Sequence, residues 1–277
     1  MSANNKPNLP PHGLHPPLSN TLAYQTRKLL QGKVVIVTGA ATGIGRAIAI
    51  EMSHQGAKVA INYLGGRETE IAQLKKEIPG LLAIAGDISL PETATNLVEE
   101  TVKHFGELNV IVSNAGVCKF EEFTNVSPEL FKSTVAINLG GCYFATQAAA
   151  RQMIKQGKGG SIIGISSISA LVGGSEQTQY TPTKAGILSL MQSEACALGK
   201  YHIRCNALLP GTIRTQLNEV DLSNKEKREY MEGRTPLGRL GIPSDMAGPA
   251  VFLASDLASY VTGAQLLVDG GMYVNLQ

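Results

Sequence analysis

The chain has 277 residues, 43% of them hydrophobic, and a net charge of +2 from 24 basic and 22 acidic side chains. That length suits one α/β domain with a sizeable core, and so even a charge excludes the basic stripe of a protein that binds nucleic acid or an anionic membrane. Cys118, Cys142, Cys196 and Cys205 lack CxxC spacing, and the histidines do not group with them, which excludes a disulfide scaffold and predicts no metal site. The thiols read as reduced, in an intracellular, cytoplasmic protein.

Residues 1–28 stand apart from the rest. Five of the thirteen prolines fall between Pro7 and Pro17, with Asn, Ser and His between them. Such a stretch forms no helix and buries little, so it is expected to be a flexible extension of a domain at 29–277. It has neither the apolar stretch of a secretory signal nor the Arg-rich character of a mitochondrial presequence. The first element is a buried strand near 34–38, within Lys33-Val34-Val35-Ile36-Val37-Thr38. Gly39-Ala40-Ala41-Thr42-Gly43-Ile44-Gly45 follows at once, and a helix is predicted near 44–55. A strand, a glycine-rich turn and a helix N-terminus make a cradle for a diphosphate, because the amides point at the anion and the helix dipole favours it. The competing use of these glycines is a tight turn with no ligand.

Further strands are predicted near 58–62, 81–86, 108–113, 160–166, 203–208 and 264–268. They alternate with helices near 67–78, 91–105, 128–155, 179–199 and 244–255. Strands alternating with helical patterns imply βαβ units, and right-handed crossovers then give a doubly wound parallel sheet of about seven strands, a single-domain Rossmann fold. Ligands belong beyond the carboxyl ends of those strands. Residues 133–150 and 159–175 carry no charge, but their Gly, Ser and Thr break any continuous apolar run of the ~20 residues a membrane span needs.

Near the fifth strand, Ser167 precedes Tyr180 by thirteen residues, and Tyr180-Thr181-Pro182-Thr183-Lys184 opens a helix. A Tyr and a Lys at i and i+4 share a helix face, and an ammonium beside a phenol favours the phenolate. Free Tyr titrates near 10, so proton transfer near neutrality asks for a drop of roughly 3 units, about 4 kcal/mol. With a serine hydroxyl to hold an oxygen, this set suits moving a proton while a cofactor moves a hydride. A surface Tyr and Lys on an amphipathic helix is the plainer alternative for the pair alone.

The chain resembles the short-chain dehydrogenase/reductases from about Leu30 to its end. The matching pieces are Thr38-Gly39 with Gly43-Ile44-Gly45, Gly86-Asp87-Ile88, Asn114-Ala115-Gly116, Ile137-Asn138-Leu139, Ser167, Tyr180 with Lys184, Pro210-Gly211-Thr212 and Val268-Asp269-Gly270-Gly271. The resemblance implies a catalytic tetrad of Asn138, Ser167, Tyr180 and Lys184, with Asn138 holding a water in a proton relay. It implies that Asp87 and Ile88 meet the adenine and that Asn114, Ala115 and Gly116 line the adenine-ribose side. It also places Pro210, Gly211, Thr212, Ile213 and Thr215 against the nicotinamide, and implies a homotetramer.

The acidic residue that marks NAD preference ends the second strand in dinucleotide folds. Here Tyr63 takes that place, so nothing repels a 2′-phosphate, and Asn62 and Arg67 are candidate contacts for it. Thr42 stands where many NADP-preferring relatives carry a basic residue. NADP is therefore the favoured cofactor, with NAD also used. A long insertion at about 213–240, with the charged helical piece Lys225-Glu226-Lys227-Arg228, is expected to close the pocket as a lid. The opposite wall, from Ser169 to Gln179, is polar, with Ser169 and Gln177 as candidate contacts for substrate hydroxyls beside Ser167 and Tyr180. The run from Gly160 to Gly174, with Tyr180–Lys184, Arg204–Thr212 and the C-terminal Gln265–Gly271, is similar to sugar 1-dehydrogenases that oxidise L-rhamnose to its lactone. The alternatives are an NADPH-dependent ketone reductase acting on 3-oxoacyl or polyketide carbonyls and a catalytically silent cofactor-binding protein.

Overall fold

The computed structural model describes residues 28–275, so the proline-rich extension expected over 1–28 lies, but for Lys28, outside the described residues. Seven strands make one parallel sheet: β1 (Val34–Val37), β2 (Lys58–Tyr63), β3 (Leu82–Ala85), β4 (Val110–Ser113), β5 (Gly160–Ile165), β6 (Ile203–Pro210) and β7 (Gln265–Val268). Their order is β3-β2-β1-β4-β5-β6-β7. The chain runs outward from β1 to β3, then returns to pair β4 with the other edge of β1, Val35 opposite Val110. The carboxyl ends of β1 and β4 thus flank the point where the strand order reverses, which is where such sheets bind ligands.

The helices are α1 (Gly43–His54), α2 (Glu68–Glu77), α3 (Pro91–Phe105), α4 (Pro128–Val135), α5 (Gly141–Gln156), α6 (Thr181–Leu198), α7 (Glu219–Leu222), α8 (Lys225–Arg234) and α9 (Ala247–Ala254). Alternation along β1 divides them between two faces. Val35 and Val37 pack with Ile48, Ala49 and Met52 of α1 and with Ala250 and Val251 of α9. Ile36 points the other way, to Leu97 of α3, Met153 of α5 and Ile187 and Met191 of α6. Each side chain of this kind, fully withdrawn from water, contributes about 1.5–3 kcal/mol, which is why strands covered on both faces read as unbroken apolar runs.

Three elements differ from the sequence expectation. The helix expected over 128–155 is broken: a π-turn at Ala136–Gly140 separates α4 from α5. Apolar periodicity runs through both halves, so the break is not legible as a change of pattern. The helix expected over 244–255 is a 3₁₀ turn at Pro243–Met246 followed by α9. The insertion at 213–240 contains α7 and α8. Neither buries much apolar surface, so the periodic signal that marks the other helices is weak there.

Candidate active site

The glycine turn is built by contacts that a side chain would block. Gly39 has φ +63°, and a Cβ there would stand 2.7 Å from the Ala115 Cα. At Gly45 a Cβ would meet the Gly39 carbonyl oxygen at 2.8 Å. Thr38 ties this turn to the end of β4: its hydroxyl accepts from the Asn114 and Ala115 amides, both at 3.0 Å. The Asn114 side chain donates back to the Thr38 carbonyl at 2.9 Å. Thr42 caps α1 without any side-chain hydrogen bond to it. The first-turn amides of α1 therefore have no side-chain cap, as an anion site requires. These features fit the diphosphate of a dinucleotide, held by the backbone from Gly39 to Gly45.

The remaining expected cofactor residues ring the same end of the sheet. Tyr63 ends β2, half-buried, and its carbonyl accepts from the Gly86 amide at 2.9 Å. Asp87 is exposed, and its carboxylate accepts from the Ser89 amide at 2.9 Å. Pro210 closes β6, and Gly211 lies so near Asp269 that a Cβ would stand 2.7 Å from its Cα. The Thr212 hydroxyl donates to the Met272 sulfur at 3.9 Å. Thr215 leans over the turn, its methyl 3.6 Å from where a Gly43 Cβ would be. Asn62, Ile88 and Ile213 are buried instead. The Asn62 amide donates to the Gly86 carbonyl at 2.9 Å, while Ile88 and Ile213 pack in the two apolar layers. Their side chains make these contacts within the protein. Arg67 pairs with Glu70 at 3.0 Å on the exposed start of α2.

A groove of about 900 Å³ borders the turn at Thr42, Gly43 and Arg46 and reaches Arg214, Thr215 and Ile242. Ser167 and Tyr180 do not line it, so this groove is not the place where the reactive groups meet.

Those groups meet beyond β5. Ser167 starts a 3₁₀ turn, Ile168–Ala170, and its hydroxyl accepts from the Ser169 amide at 3.0 Å. The Ser167 hydroxyl also acts on the Tyr180 phenol, favouring its ionised form. Tyr180 caps α6, and the Lys184 amide donates to the Tyr180 carbonyl at 3.2 Å, which sets the two side chains on one face. Lys184 is buried; its ammonium donates to the Ile165 carbonyl at 3.0 Å and lies 5.4 Å from the centroid of the Tyr180 ring. Burial lowers Lys184 from 10.5 to about 8, so it stays mostly protonated at neutral pH. The phenol moves opposite to the sequence expectation. Withdrawal from water, with the Cys118 sulfur beside it, holds Tyr180 above its usual 10, and the Ser167 hydrogen bond recovers only part of this. A cation one turn away does not by itself outweigh desolvation.

The π-turn places Asn138 behind this group. Its amide donates to the Val117 carbonyl at 3.0 Å and the Thr183 hydroxyl at 3.1 Å, and its oxygen accepts from the Val117 amide at 2.8 Å. A Cβ on Gly116 would lie 3.3 Å from Asn138 Oδ1 and 3.6 Å from Lys184 Nζ, so the three share one wall. Three participants have little signal in the sequence: Thr38, Cys118 and Thr183. Thr38 alone could have been found there, as the polar residue that ends β1 against the glycine turn. Gln177, expected to face substrate, donates its amide to the Cys118 sulfur at 3.3 Å.

A seven-stranded parallel sheet with a glycine turn at its switch point and a Ser–Tyr–Lys group beyond β5 defines a dinucleotide-dependent oxidoreductase architecture. The family model described as enoyl-(acyl carrier protein) reductase matches residues 39–273, and the chain belongs to the short-chain dehydrogenase/reductase family. It is 67% identical over 257 residues to the L-rhamnose-1-dehydrogenase of Scheffersomyces stipitis, covering 90% of this chain and 99% of that one. It is 59% identical over 253 residues to the L-rhamnose 1-dehydrogenase (NAD(P)(+)) of a Sphingomonas species, covering 90% and 100%. Its fold is similar to the crystal structure of a gluconate 5-dehydrogenase from Burkholderia cenocepacia in complex with NADP and tartrate. The TM-score is 0.84 at 28% identity, over 90% of this chain and 98% of that one.

Proposed function

We propose that this chain is an NAD(P)-dependent L-rhamnose 1-dehydrogenase, which oxidises the C1 hydroxyl of the cyclic sugar to a lactone. The observation that carries the chemistry is Tyr180 at the start of α6 with the buried Lys184 ammonium 5.4 Å from its ring centroid, and Ser167 just beyond β5 beside them. Two relatives of similar length, 67% and 59% identical, narrow the substrate to L-rhamnose.

When bound, the oxidised nicotinamide supplies the hydride acceptor and a positive charge that works with Lys184 to bring the buried phenol down. Ser167 holds the C1 oxygen. Tyr180 takes the C1 hydroxyl proton as general base, and in reduction returns it as general acid. Lys184 stabilises the phenolate and faces the cofactor ribose. Asn138 fixes the Val117 segment and the Thr183 hydroxyl, and the family resemblance implies that it holds a water in the proton relay from Lys184. The 2′ position is read around Tyr63, Thr42 and Arg67, with NADP favoured and NAD accepted. Ser169 and Gln177 face the remaining sugar hydroxyls, and residues 213–240 close over them. The resemblance further implies a homotetramer, and the four free thiols suit a reducing, cytoplasmic setting.

The test is formation of reduced cofactor when purified enzyme is mixed with L-rhamnose and NADP or NAD. Turnover with appearance of the lactone or its hydrolysed acid supports the reading. Reduction of 3-oxoacyl substrates with no oxidation of any aldose would replace it with the ketone-reductase reading.

A further inference from the structure

One cation joins three segments that are far apart in the sequence. Lys227, on α8, forms an ion pair with Asp221 of α7. Its ammonium also lies 3.4 Å from a Glu176 oxygen and 4.9 Å from the centroid of the Phe120 ring. Phe120 belongs to the segment that leaves β4. Glu176 belongs to the segment that leads from β5 into Tyr180.

These two segments are already fastened to each other. The Glu121 amide donates to the Glu176 carbonyl at 2.9 Å, Gln179 donates to the Lys119 carbonyl at 2.5 Å, and Gln177 donates to the Cys118 sulfur at 3.3 Å. Together they form one prebuilt wall beside Ser167 and Tyr180. The insertion that carries α7 and α8 starts beyond Thr212, on the other side of the cleft. Lys227 carries polar contacts from α8 to both parts of that wall. A flexible four-carbon stem with three donors suits the task, because it can satisfy two carboxylates and still lie over a ring.

We propose that Lys227 is a positioning residue that latches residues 219–234 onto the wall formed by Phe120 and Glu176. The latch sets the width of the pocket in which the substrate hydroxyls are held. It acts through the wall and does not touch Ser167, Tyr180 or Lys184. The kinetic consequence rests on the sugar-dehydrogenase reading, whereas the latch itself does not.

The experiment compares the full chain with Lys227→Met, which keeps the stem and loses the charge, and with Lys227→Arg, which keeps the charge and the ring contact. Amide hydrogen exchange is followed in the absence of substrate. Exchange should accelerate across 219–234 in Lys227→Met, stay unchanged across α1, and return towards the wild-type rate in Lys227→Arg. The KM for L-rhamnose should rise about three- to tenfold in Lys227→Met, the scale set by one exposed ion pair plus one cation–ring contact. NADP affinity measured without sugar should stay within about twofold of wild type, since less than 1 kcal/mol separates such values. Unchanged exchange across 219–234 in Lys227→Met would overturn the proposal. So would faster exchange throughout the sheet with no rescue by Lys227→Arg, which would mark a general structural role. If the wild type leaves L-rhamnose untouched, the sugar reading fails and the exchange comparison still decides the latch.

Discussion

Tyr180 and Lys184 carry opposite burdens. Burial holds the phenol's proton on and the ammonium's proton loosely. Tyr180→Phe removes only the proton carrier, so turnover should fall by orders of magnitude while NADP binding, followed by quenching or shift of reduced-cofactor fluorescence, is retained. Turnover above a tenth of wild type would exclude Tyr180 as the acid–base group. Lys184 is the more instructive case for stability. Its folded value of about 8 lies below the unfolded 10.5, so the folded chain binds fewer protons between those limits and gains stability as pH rises through them. At pH 7 the burial cost is fully present, at most about 3 kcal/mol for such a shift. Lys184→Met should therefore lose turnover and cofactor affinity with no fall in thermal stability near neutrality. Thermal melts of both proteins at pH 7 check this, and a clear loss of Tm would mean that the Ile165 hydrogen bond outweighs the buried charge. At this scale the sequence was informative. Ser167, Tyr180 and Lys184 are legible because the chemistry dictates residue types at helical and loop spacings. The direction of the Tyr180 shift was not, because desolvation depends on neighbours such as Cys118 that no spacing reveals.

Between α5 and α6 lies a carboxyl that the active site does not use. Thr146 of α5 donates to Glu194 of α6 at 2.6 Å, and the second Glu194 oxygen is buried with no partner. Burial raises Glu194 from 4.5 to about 7, with the Thr146 bond opposing. The folded chain therefore binds more protons than the unfolded chain between pH 4.5 and 7, and loses stability as pH rises through that window. Glu194→Gln should stabilise the protein above pH 7 by up to about 3 kcal/mol and make no difference below pH 4.5. Denaturant midpoints at pH 8 and pH 4.5 test this, and an equal effect at both would assign it to packing. Element by element, the sequence marked the strands and the long helices. It missed the π-turn at Asn138 because apolar positions continue in helical phase on either side of it. It read α8 only as a charged piece, because a helix with no buried residue leaves no apolar stripe to find.

Across the whole molecule, the sheet order decides which residues become neighbours. Tyr63 ends β2, one strand from the glycine turn, and Tyr63→Asp would set a carboxylate beside the ribose 2′ position. The ratio of kcat/KM for NADP to that for NAD should fall in this variant, because a 2′-phosphate is repelled and a 2′-hydroxyl gains an acceptor. An unchanged ratio would move that reading to Thr42 or Arg67. The sequence by itself determined the parallel α/β class, the glycine turn and the Ser, Tyr and Lys of the site. The class and the turn rest on local periodicity and short spacings, whereas the Ser, Tyr and Lys rest also on the family resemblance. Tertiary structure decided that Asn62, Ile88 and Ile213 turn inward and that Gln177 meets Cys118. It also decided that Lys227 reaches Phe120 and Glu176 from another crossover. Those pairings join residues separated by tens of positions along the chain. They exist only once the sheet has brought its carboxyl ends together and burial has set which polar groups must satisfy one another.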